Sequence, residues 1–86
     1  MKKMYKWPAC GFEVRKTRNE LGLTPDEMAE KLKCTRQFVS RMELGQAVMP
    51  VEKMKLLSKY VHDTRIDAII SAYLRDVKFQ IRKQLG

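Results

Sequence analysis

The stretch CTRQFVSRMELG (residues 34–45) carries hydrogen-bonding side chains at Arg36, Gln37, Ser40 and Arg41, set among Phe38, Val39 and Met42. At about 100° per residue, Val39 and Met42 fall on one face of a helix and the four donors on the other. Those types suit base-edge reading. The planar fork of arginine matches the O6 and N7 edge of guanine, the glutamine amide pairs with adenine through two bonds, and serine serves a base or a phosphate. No carboxylate is expected to interrupt this face. Phe38 lies on the flank, where its ring either meets a thymine methyl group or seals the side of the core. A merely solvated surface would also carry Arg and Gln, so periodicity alone leaves that alternative open.

The neighbouring elements narrow the choice. Thr24-Pro25-Asp26-Glu27 combines an N-cap, a proline at the first helical position and a capping-box glutamate, which fixes the start of a helix. Met28, Ala29 and Leu32 form its buried stripe, Lys33-Cys34 make a tight turn, and Thr35 caps the next helix. An earlier helix is expected from about Phe12 to Leu21, ending at Gly22. A fourth enters at Pro50 with Val51, Met54, Leu57 and Val61 toward the core. His62-Asp63-Thr64 breaks the pattern, and a last helix from Arg65 to about Leu85 carries Ile66, Ile69, Ile70, Tyr73, Leu74, Val77 and Ile81 on one stripe. That stripe is broader than a solvent-facing tail needs. The fold expected is all-α.

Composition bounds the function. Eighty-six residues allow one small domain, and a formal charge of +8 with 18 Lys and Arg favours a polyanionic partner. Cys10 and Cys34 form no C-x-x-C pair and have no nearby His, so neither a metal site nor a disulfide framework is expected. With no signal-like or membrane-length apolar run, the expected setting is cytoplasmic, on the nucleoid when bound to DNA. His62 is the only histidine, the acids are scattered and the four glycines make no phosphate cradle, so no enzyme and no cofactor is expected.

A capped short helix, a tight turn and a second helix with an all-donor outer face make the helix-turn-helix arrangement. Residues 12–61, with "VRKTRNELGLTPDEMAEKLKCTRQFVSRMELG" at their centre, resemble the Xre/Cro-type helix-turn-helix repressor family. The resemblance rests on Arg18, Gly22, Leu23, Thr24, Ala29, Thr35, Val39, Ser40, Met42, Glu43, Gly45 and Pro50. It implies a lambda-repressor-like five-helix bundle with a longer C-terminal helix, and a structural ion pair between Arg18 and Glu43. It also implies base reading by Arg36, Gln37, Ser40 and Arg41. Thr35 and the segment around Leu44 to Ala47, with Gln46, would lie against phosphates, partly through backbone amides. Lys33, Lys16 and Lys6 would add backbone contacts. The chain departs from the family pattern at Pro25, where many relatives have a phosphate-binding glutamine, and at Lys33, where glycine is usual.

The organisation expected is a basic N-terminal arm over residues 1–11, a DNA-binding domain over 12–61 and a C-terminal helix over 62–86 that dimerises through Tyr73, Leu74, Val77 and Ile81. Such a protein would be a homodimeric repressor of its own or an adjacent operon, of phage or mobile-element type, bound to an inverted-repeat operator in double-stranded DNA, with no membrane partner. The alternative is an antitoxin or inhibitor that binds a partner protein through its C-terminal helix.

Overall fold

The computed structural model describes residues 6–86 and contains five helices, with no strand among them. In chain order they are α1 (Pro8–Glu20), α2 (Pro25–Lys31), α3 (Arg36–Glu43), α4 (Val51–Leu57) and α5 (Asp63–Leu85). The all-helical fold with a longer last helix is as expected.

Local chemistry sets α2 and α3. Thr24 Oγ1 accepts from the Glu27 amide at 3.2 Å while Glu27 Oε1 accepts from the Thr24 amide at 2.8 Å, closing the capping box. These bonds hold the Glu27 carboxyl below its usual pKa, the backbone bond to Thr24 being the largest cause. Thr35 Oγ1 accepts from Phe38 N at 3.1 Å and starts α3. Between them the Cys34 amide reaches back to the Ala29 carbonyl at 3.0 Å, which turns the chain through Lys33.

Two starts differ from expectation. Helix α1 begins at Pro8, so Pro8–Gly11 of the expected arm is helical. Trp7 supplies no side-chain cap there; instead Asp76, on α5, accepts from the amides of Ala9 at 3.1 Å and Cys10 at 2.9 Å. A carboxylate at a helix N-terminus meets both the open amides and the positive end of the helix dipole. Helix α5 likewise begins at Asp63, two residues ahead of Arg65.

The core is built from Cys10, Val14, Met28, Ala29, Leu32, Val39, Met42, Met49, Leu57 and Ile69. Val51, expected inside, is 70% exposed. Helix α4 turns Leu57 inward, with Met54 and Leu56 beside it, and Val51 lies about 120° away around the axis. Met49, in the loop that leads into α4, is buried in its place. Helix α4 also stops at Leu57, which leaves Val61 half-buried in the following turn.

Helix α1 crosses α3 at glycine distance. A Cβ on Gly11 would sit 2.6 Å from the Glu43 carbonyl and 2.8 Å from that of Met42. Helix α5 lies along α1, where Arg65 bridges Glu13 at 2.7 Å and Glu20 at 3.3 Å. Ile69 and Ala72 are buried there, whereas Ile70, Leu74 and Ile81 face outward. Tyr73, expected on a partner subunit, stacks on Trp7 of its own domain with ring centres 5.1 Å apart, because α5 turns that face toward the start of α1.

Candidate nucleic-acid interface

Helix α3 is strongly two-sided. Val39 and Met42 are fully buried, and Arg36, Gln37, Ser40 and Arg41 are all exposed on the side away from the core. Helix α3 itself places no carboxylate among these donors, but a neighbouring helix does: Asp26 Oδ2, from the first turn of α2, stands 3.7 Å from Arg36 NH1. Both side chains are largely in water, so the pair is weak and Arg36 can leave it for a better acceptor. Phe38 is half-buried and packs against the core cluster from the flank of α3.

The N-terminal end of α3 gathers cations. Lys33 is exposed with a φ of 53°, and its carbonyl accepts from Lys53 Nζ of α4 at 3.1 Å. Lys53 was not singled out from the sequence, because only the fold brings α4 to this turn. The nearby Cys34 thiol is pushed up by burial, with Lys53 pulling the other way. Neither cysteine is bonded to another. A left-handed backbone at a lysine carries strain that glycine avoids. Lys33→Gly is therefore expected to raise stability by about 0.5–1 kcal/mol, strain relief outweighing the added freedom of the unfolded chain. The urea midpoint measures this.

At the other end of α3 the expected phosphate amides are already in use. The amides of Gln46 and Ala47 donate to the Arg41 carbonyl at 2.8 and 3.3 Å, Leu44 donates to Ser40 and Gly45 to Met42. They close the helix, so only side chains of this loop remain to meet a backbone. The Gln46 side chain belongs to a half-buried residue, and Leu44 is exposed.

Arg18 and Glu43, the expected structural pair, lie behind the reading face. Arg18 Nε and NH2 donate to Glu43 Oε2 and Oε1 at 2.7 and 3.0 Å, and Arg18 NH1 donates to the Leu23 carbonyl at 2.9 Å. Arg15 Nε adds a bond to Glu43 Oε1 at 3.2 Å. Glu43 is 4% exposed and Arg18 14%, so the fork ties α1 to the last turn of α3 out of reach of solvent. The bonds to Glu43 raise the Arg18 pKa further.

The remaining expected contacts scatter. Lys16 is exposed on α1. The Lys6 carbonyl accepts from Gln80 Nε2 on α5, and the Trp7 amide donates to the Gly45 carbonyl at 2.9 Å. This part of the expected arm is thus strapped between α5 and the end of α3. Lys2, Lys3 and Tyr5 lie outside the described residues. Among the described residues no His, Cys, Asp and Glu cluster could hold a metal ion, and no helix is long and apolar enough to cross a membrane.

No curated protein and no solved structure matches the chain. The helix-turn-helix family profile matches residues 14–67, well over half of the sequence and all of α2, the turn and α3, and the chain belongs to the Xre/Cro-type helix-turn-helix family of DNA-binding transcription regulators.

Proposed function

We propose that the protein is a homodimeric repressor that lays α3 in the major groove of an inverted-repeat operator. The observation that carries this reading is the outer face of α3: Arg36, Gln37, Ser40 and Arg41 stand exposed while Val39 and Met42 anchor the helix from behind. Arg36 and Arg41 read guanines, Gln37 reads adenine, and Ser40 serves a base or a phosphate. Lys33, Lys53 and Thr35 sit against phosphates at one end and fix the register, with Gln46 at the other. Lys16 and Lys6 are outlying backbone contacts. Two copies are required because one reading helix spans too few bases, so the half-sites lie about 34 Å apart. Repression follows from occupying promoter DNA in place of polymerase, in the cytoplasm, at the protein's own operon or an adjacent one.

Gel shifts on a selected operator test the assignment. Arg36→Ala and Arg41→Ala are each expected to cost about 1–3 kcal/mol of binding and to relax specificity at one base pair. Thermal unfolding should be unchanged, since both side chains are exposed. Wild-type affinity in the double variant would remove α3 as the reading helix.

A second reading is an antitoxin or inhibitor that grips another protein through α5. The exposed Leu74, Phe79, Ile81 and Leu85 favour it. Light scattering separates the two, because a homodimer occupies α5 and a monomer leaves it open.

A further inference from the structure

The outward face of α5 has a seam, a charge order and a neighbouring groove that fit together. Ile70, Leu74, Val77 and Ile81 follow at spacings of four, three and four, the pattern of a two-helix seam. Leu74 is 56% exposed and Ile81 52%, with Leu85 at 83% in the final turn. Asp63 and Asp67 occupy the start of α5, and the exposed charges further along, Arg75, Lys78, Arg82 and Lys83, are all positive. Beside the first half of α5 runs an apolar groove of about 590 Å³ against α4, lined by Val48, Pro50, Val51, Met54, Ile66 and Ile70 among others, with Lys55 and Ser58 also in its wall.

Resting on the dimeric reading above, we infer that a second copy of this chain covers this face, its α5 running antiparallel to the first. Parallel helices would bring the two acidic starts together and the two basic ends together, and like charges repel. Antiparallel helices set the acidic start of one over the basic end of the other. The register that keeps apolar on apolar pairs Leu74 with Val77 of the second copy and Ile70 with its Ile81. Asp67 then lies level with Gln84 of the second copy, two residues along from its Arg82 and within side-chain reach of it. In the same register Leu85 of the second copy comes level with Ile66, at the groove between α4 and α5. The arrangement accounts together for the exposed Val51, for the groove and for a last turn that touches little of its own domain. A two-fold axis crosses α5 between Leu74 and Val77, so one patch serves both copies.

Cysteine pairing tests it in the full chain with Cys34→Ser, which leaves only the buried Cys10 besides the probe. Ile70→Cys and Ile81→Cys, oxidised separately, are expected to stay non-covalent; mixed, they are expected to form a disulfide-linked heterodimer. A disulfide within either variant alone, or a monomer by light scattering at every concentration, would overturn the inference. A second measurement uses charge: Asp67→Lys is expected to weaken the dimer about tenfold across the two symmetric contacts, and adding Arg82→Glu to restore most of that loss. Equal dimer strength in all three proteins also overturns it. DNA binding is read separately. A monomer that still shifts operator DNA through Arg41 ends this inference alone, and a heterodimer disulfide without any DNA shift supports it while ending the DNA reading.

Discussion

Arg18→Ala should lose about 3 kcal/mol of stability in urea unfolding, which in a domain of this size leaves little folded margin. Glu43 is nearly sealed from solvent, and Arg18 provides two of its three side-chain donors. Removing them strands a carboxylate that water cannot reach, and Arg15, more than half exposed, satisfies only one oxygen. The Leu23 carbonyl also loses its guanidinium donor. The control is Arg18→Met combined with Glu43→Leu, expected to recover most of the loss, because a buried pair costs desolvation that two apolar side chains do not. If Arg18→Ala alone unfolds at the wild-type urea midpoint, the pair contributes nothing to the join between α1 and α3.

The second large effect is expected at Asp76. Asp76→Ala removes the shared acceptor of the Ala9 and Cys10 amides, and the Cys10 amide has no water to turn to. The expected loss is about 2–4 kcal/mol, above that of an ordinary helix cap because the site is buried. Asp76→Asn keeps one oxygen as acceptor and is expected to lose roughly half as much. Amide hydrogen exchange locates the damage: protection should fall first at Ala9, Cys10 and Gly11, while the amides of α2 and the α3 core keep theirs. Uniform loss of protection along all five helices would show that Asp76 supports the whole fold rather than the first turn of α1.

These two sites also mark the limit of what the sequence discloses. The caps at Thr24 and Thr35 are satisfied by atoms three residues away, so both helix starts are written locally, and the burial of Val39 and Met42 follows from spacing alone. The start of α1 depends on a residue 66 and 67 positions beyond the amides it holds, and no short window along the chain contains both partners. Met49 replaces Val51 in the core for a similar reason, since the inward direction of α4 is set by the helices around it. On the reading face, the four donors could be placed by period, but Asp26 beside Arg36 and Lys53 beside Lys33 come from other helices. Gln46 shows a different difficulty: its side chain fits phosphate contact, yet its amide is taken by the turn that ends α3.

The bond from Asp76 to α1, with Tyr73 on Trp7 and Gln80 on Lys6, makes the two ends of the described chain one mechanical unit. The stretch that matches the family, residues 14–67, omits every one of these partners. The residues that mark the lineage therefore do not include all of those that hold the fold together. Change in the terminal segments is constrained by pairs: a substitution near Trp7 is felt on α5, and through the Trp7 bond to Gly45 it is felt where α3 ends. For a protein whose outermost helix is also the proposed meeting place of two copies, that linkage gives assembly a short physical route to the orientation of the reading helix.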